Sequence, residues 1–196
     1  IASLTKLQGK NAKDVNKEIA TSVGNLKKET GIALNLNDVF EDVAKANASL
    51  KAAYGFNTKL LAEQVVKSKQ LGLSLEQSAN MANSLLNFES SIENELSAEL
   101  ITGKNINLEE ARRLALNGKN VEAAALLADQ IGSSADLTNM SVIAQESLAK
   151  AIGMGKDEMI ESVQKREILK KLGADSLEKL EEQGRLQELS GTAIGD

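Results

Sequence analysis

The residues best spaced to do chemistry are two carboxylate pairs, Glu89 with Glu93 and Glu95 with Glu99. Four-residue spacing puts each pair on one face of a helix. Two facing carboxylates are also the equipment of glycoside hydrolysis. Sugar clefts normally add aromatic platforms, and aromatic residues are only 2% of this chain: Tyr54, Phe40, Phe56 and Phe88, with no Trp. The plainer expectation for both pairs is a solvated helix face. The absence of His and Cys removes Ser-His-Asp and Cys-His nucleophiles, thiolate metal sites and His-containing zinc and di-iron centres. Three Gly-Lys pairs invite a phosphate-loop reading at Lys104, Lys119 and Lys156. They are followed by Asn105, Asn120 and Asp157, where a Walker loop needs Ser or Thr for magnesium. The upstream glycine is missing as well, so these lysines read as helix starts or ends. The acidic residues lack the alternation of a calcium loop. No catalytic, cofactor-binding or metal-ligating residue is assigned, and the chain is expected not to be an enzyme.

Nucleic-acid recognition is equally poorly supported. The segment Asn107–Ile131 could be taken for a helix-turn-helix around Asn117-Gly118. Its local cations are Arg112, Arg113, Lys104 and Lys119, on a protein of net charge −5. A DNA reader needs more phosphate-neutralising charge than that. An αα-hairpin is the expectation. No apolar run approaches the roughly 18 residues of a membrane span. The start, IASLTKLQGK, is not a signal peptide and lacks an initiator Met. The chain therefore reads as a piece of a longer one, or as a product of processing.

The elements that would carry these residues are helices. With 42% hydrophobic residues, few aromatics and no proline, the core must be built from Leu, Ile, Val, Ala and Met, with short Gly- and Asn-capped links. The expected fold class is all-α: several short to medium helices and one longer central helix. Val15, Ile19, Val23 and Leu26 form one stripe over Asn11–Thr30, with Gly31 as its stop. Asn37 is expected to cap a second helix ending at Gly55, and a third runs from Thr58 to Gln70 with a stop at Gly72. Ser74 and Gln77 form a capping box. The helix it opens should be the longest, Leu75 to Ile101, burying Leu75, Ala79, Ala82, Leu85, Phe88, Ile92, Leu96 and Leu100. Its polar reverse face is Asn80, Asn83, Asn87, Ser90, Ser91, Asn94 and Ser97.

Further on, Asn107 with Glu110 should open a short helix closed at Asn117-Gly118, and Asn120 another, Val121–Ile131. After a polar turn at Ser133, Ser134 and Asp136, helices are expected over Asn139–Ile152 and Lys156–Leu172. Asp175 with Glu178 should start a last one, to about Leu189. Ile131-Gly132, Ile152-Gly153 and Leu172-Gly173 look like left-handed helix caps. The expected division is an N-terminal amphipathic helix and linker (1–35), a helical module (36–189) and a flexible end (190–196). This makes roughly six to nine helices in all.

Several long runs carry a family likeness. LLNFESSIENELSAELITGK (Leu85–Lys104), NLEEARRLALNGK (Asn107–Lys119), SVIAQESLAKAIGMGKDEM (Ser141–Met159) and NLNDVFEDVAKANASLKAAYG (Asn35–Gly55) resemble segments of phage tail tape measure proteins. The likeness covers about two thirds of the chain and thins out in the first and last thirty residues. It implies a virion structural protein of all-α and coiled-coil character, present in a few copies in the tail lumen or tail tip. Such a protein sets tail length and leaves ahead of the DNA at genome ejection. The implied partners are tail tube and tail-tip (baseplate hub or distal tail) proteins and further copies of the chain, with no sequence-specific nucleic acid. No catalytic residue and no cofactor is carried over. An acidic lumen protein would repel DNA phosphates, which favours release. A cytoplasmic helical adaptor is the alternative from a different class.

Overall fold

The computed structural model describes residues 11–30 and 36–172. All regular structure among them is helical, in eleven helices. We number them α1 (Ala12–Thr30), α2 (Leu36–Lys45), α3 (Ala48–Ala53), α4 (Thr58–Gln70), α5 (Leu75–Ser84), α6 (Phe88–Thr102), α7 (Glu109–Leu116), α8 (Asn120–Ile131), α9 (Ser134–Thr138), α10 (Val142–Ala151) and α11 (Lys156–Leu172). The chain forms two compact units, Ile1–Val66 with Arg166–Asp196, and Lys67–Lys165. The division falls inside α4 and inside α11.

In the first unit α1 packs on α2. Val15, Ile19 and Val23 are buried, as their spacing requires, and Val39 and Val43 are buried on α2. The single helix expected from Asn37 to Gly55 is interrupted. Asn37 lies inside α2, and the true cap is Asn47, whose side chain accepts from Leu50 N at 2.9 Å. Asn47 offers its own carbonyl oxygen to a free amide, which makes a new helix start as favourable as continuing the old one. The stop at Gly31, the stop at Gly173, the capping box at Asp175 and the loose end 190–196 lie outside the described residues, as does the side chain of Leu26.

The second unit has one apolar core, built largely from Leu85, Leu108, Leu127, Ile131, Leu148 and Ile152, with Ala82, Ala98, Ala111 and Ala124 between them. The alanines let helix axes approach closely. The main packings are α5 on α8, α7 on α8, and α10 on α6. The capping box at Ser74 and Gln77 forms as read, and Gln77 Nε2 also donates to Glu158 Oε1 at 2.6 Å, tying α5 to α11. Ser68 and Ser78, both fully buried, share a hydrogen bond of 2.9 Å. Among the described residues no helix is long and apolar enough to cross a membrane.

Four sequence expectations change here. The long helix Leu75–Ile101 is two helices, broken at Leu85-Leu86-Asn87, and the longest described helix is α1, at 19 residues. The break contains no Gly or Pro. Asn87 starts α6 by accepting from Ser90 N. The polar turn at Ser133 is itself a short helix, α9, with a capping box between Ser133 and Asp136, and Ser141 then caps α10. Asn107 does not cap α7: Leu108 occupies that position, and Asn107 Oδ1 accepts from Glu109 N at 3.1 Å. Of the two described Ile-Gly ends, Gly153 has φ +75°. Gly132 has φ 89° and ψ −150°, which is not the left-handed helical conformation.

Candidate interaction face on α6

α6 turns Ser91 and Ala98, not its apolar row, toward the protein. Ser91 and Ala98 are buried, while Phe88, Ile92, Leu96 and Leu100 are 44%, 46%, 59% and 86% exposed. The helix is rolled so that the stripe expected to be buried points outward. On α5 the same periodicity runs as expected, with Leu75, Ala79, Ala82 and Leu85 buried and Asn80 and Asn83 exposed. The break at residues 85–87 is thus also where the apolar row passes from the inside to the outside.

What holds α6 in this roll is a set of polar contacts on its inner face. Arg112 of α7 is 9% exposed; its Nε donates to Ser91 Oγ at 2.9 Å, and its terminal nitrogen is paired with Glu95 Oε2. The other oxygen of Glu95 accepts from Leu108 N at 2.9 Å, and Glu99 Oε1 accepts from Ile106 N at 2.9 Å. The two carboxylates therefore pin the connection 103–108, whose amides have no helix or strand to bond to. A buried guanidinium left without a carboxylate would be costly, so Ser91 and Glu95 must face inward once Arg112 is there. With Ser91, Glu95 and Ala98 turned inward, the row that starts beside Glu95 at Phe88 swings progressively outward through Ile92 and Leu96 to Leu100.

The remaining candidates take structural places too. Glu89 and Glu93 are exposed on the outer side of α6. Lys104 Nζ donates to the Ile131 carbonyl at 3.2 Å, at the C-terminal end of α8, where a cation suits the helix dipole. Arg113 is exposed and paired with Glu110 three residues back. The Arg113 guanidinium holds the Glu110 carboxyl below its ordinary value, and Glu110 in turn raises the pKa of Arg113. Lys119 is exposed at the start of α8, and Lys156 is partly buried at the start of α11. Thus the four glutamates do not converge: Glu95 and Glu99 are bonded inside the fold, and Glu89 and Glu93 face away from them. Among the described residues no three acidic side chains gather at metal-binding spacing.

α10, which packs on α6, also exposes apolar side chains. Gly153, just after α10, lies so close to the end of α5 that an added Cβ would sit 2.1 Å from Ser84 Oγ. α10 therefore ends near where α6 begins, and the two packed helices run antiparallel. Val142 and Ile143, at the start of α10 and 57% and 66% exposed, then lie toward the end of α6 that bears Leu100. Sequence periodicity identified the row but assigned it to the core. The available signal was the Ser91, Glu95 and Glu99 row on the reverse side, together with an arginine between alanine and arginine at Arg112.

Comparison with protein-family models, with curated proteins and with solved structures finds no match for this chain.

Proposed function

We propose that this chain is a non-catalytic structural module of a bacteriophage tail, a tape measure segment folded back on itself to dock at the tail tip. The observation that carries this reading is the outward apolar row of α6. It lies within Leu85–Lys104, one of the runs that resemble tape measure proteins, and an exposed apolar patch of that kind serves protein contact. Of the carboxylates singled out for chemistry, Glu95 and Glu99 bond the connection 103–108, and Glu89 and Glu93 stand apart from them on the outer side. A ruler segment would need a continuous helix, each residue adding about 1.5 Å. The second unit instead reverses repeatedly, with glycines of positive φ at positions 72, 103, 118, 132 and 153. The acidic balance of the chain would keep it from holding the DNA that passes after it.

Two experiments test this. Mass spectrometry of purified virions should find peptides of this chain at a fixed copy number. Their absence, with the chain recovered from the cytoplasm, would favour the helical adaptor. In the intact phage, deleting Leu108–Ile131 removes α7, α8 and much of the apolar core. We expect failed assembly or tails of unchanged length. Viable tails shortened by about 36 Å, the helical length of the deleted residues, would defeat the docking reading in favour of an extended ruler.

A further inference from the structure

We propose that Asn117 is a site of slow, uncatalysed deamidation, held in check by the C-terminal turn of α7. Of the asparagines in the chain, Asn117 alone is followed by glycine. In this reaction the Gly118 backbone nitrogen gives up its proton to solvent base and attacks the Asn117 side-chain carbonyl carbon. A C–N bond forms, the bond to the side-chain nitrogen breaks, and ammonia leaves. Water then opens the five-membered imide at either carbonyl. The net change is one water in and one ammonia out, with nothing oxidised or reduced, and it leaves an aspartyl or an isoaspartyl residue. Any other neighbour would bring a Cβ against the attack, and glycine brings none. Both residues are exposed, and a Cβ added at Gly118 would meet nothing within 4 Å, so solvent base and water reach the turn freely.

The folded geometry opposes the reaction. Asn117 sits at φ −88° and ψ 10°, which sets the Gly118 nitrogen beside the Asn117 amide nitrogen and away from the side chain. Gly118 N donates to Ala115 O at 3.0 Å, Lys119 N to Leu114 O at 3.0 Å, and Asn117 Nδ2 to Arg113 O at 2.7 Å. All three bonds must open before the ring can close. At roughly a factor of five each, they slow the folded chain by about 100-fold relative to the unfolded one. The product cannot rebuild the turn. An aspartyl carboxylate offers no donor to the Arg113 carbonyl and puts a negative charge at the negative end of α7. An isoaspartyl linkage adds a methylene to the main chain, in a link between α7 and α8 of only three residues, 117–119. α7 packs on α8 and carries Arg112, which bonds Ser91 and Glu95, so loosening this turn weakens the hold on α6. This chemistry is independent of the tail assignment.

The test ages the whole chain in mildly alkaline buffer, with and without denaturing urea, and follows its peptides by mass spectrometry. Each deamidation exchanges –NH2 for –OH, and an isoaspartyl-specific methyltransferase marks the isoaspartyl product. Asn117 should be the first asparagine lost in both conditions, about 100-fold more slowly without urea. Lys119→Pro deletes the Lys119 N–H. With helical circular dichroism retained, it should speed the reaction without urea by about fivefold and change the rate in urea little. The deamidated chain, separated by its added negative charge, should melt below the fresh chain. Asn117→Gln, aged alongside, should keep its melting point. Earlier loss of another asparagine in the folded chain, such as Asn83 before Ser84, overturns the inference. So does a folded rate within about threefold of the rate in urea, or no acceleration by Lys119→Pro. A deamidated chain that melts with the fresh one overturns the link to the α7–α8 turn.

Discussion

Truncating Glu95 to alanine isolates the contact that sets the roll of α6. The side chains of Arg112 and Glu95 are 10% and 13% exposed, so the pair is largely removed from water. Without the carboxylate, Arg112 keeps its bond to Ser91 but loses its counter-charge, and the Leu108 amide loses its acceptor. Breaking a buried ion pair from one side costs about 3–5 kcal/mol, and a stranded amide about 1–3 kcal/mol. Allowing some water to enter, the sum should be about 4 kcal/mol, a large share of the stability of a small domain. With a urea dependence of about 2 kcal/mol per M, the unfolding midpoint of the second unit should fall by about 2 M. Arg112→Met should cost less, because Glu95 then retains the Leu108 amide. Changing both residues to Met should recover part of the loss relative to Glu95→Ala, since no charge is left buried. Urea melts followed by circular dichroism, with hydrogen exchange read at the Leu108 amide, would measure all three. A midpoint shift under about 0.5 M for Glu95→Ala, or unchanged protection at Leu108, would refute the claim that this pair holds the helix.

Gly153→Ala should destabilise the second unit by about 2–4 kcal/mol, because φ is +75° and the new Cβ would meet Ser84 Oγ at 2.1 Å; thermal melts should show Ser84→Gly restoring only the steric part. Leu96→Asp, on an exposed face, should change the stability of the monomer by less than about 0.5 kcal/mol, and a loss of several kcal/mol in a chemical melt would mean that α6 has its apolar row inward after all. Bonds from the Ser133 amide and hydroxyl hold the Asp136 carboxyl below its ordinary 3.8, and Arg113 does the same for Glu110 below 4.5. A depressed folded-state pKa means that the unfolded state binds more protons, so both contributions are present above those ordinary values and are lost as pH falls through the depressed ones; Asp136→Asn should flatten the acid limb of stability, checked by carboxyl NMR titration against melts. Asn47→Ala, which removes the cap of α3, should cost about 1 kcal/mol in a urea melt of the first unit.

The sequence by itself determined the helical class, because no strand pattern competes with the helical stripes and glycine punctuates them. It located α4 and α11 to the residue, the stripe of α1 and the capping box of α5, all of which rest on signals within one or two turns of chain. It also placed Phe88, Ile92, Leu96 and Leu100 along one row of α6, but it put Ser97 on the reverse face with Ser91, and Ser97 is exposed whereas Ser91 is buried. What it could not determine was which side turns inward, since periodicity is unchanged when a helix is rotated about its own axis. The usual rule, apolar inward, fails here because the partner of the inner side comes from elsewhere in the chain: Arg112 on α7 and the amides of Ile106 and Leu108. Removing these charged and polar groups from water without partners costs more than leaving four apolar side chains in it. The break at Leu85-Leu86-Asn87 follows from the same cause. Leu85 is held in the core by the packing of α5, and Ser91 and Glu95 are held by Arg112. One straight helix cannot satisfy both, so only the tertiary structure decided where the helix ends and which way its second half faces.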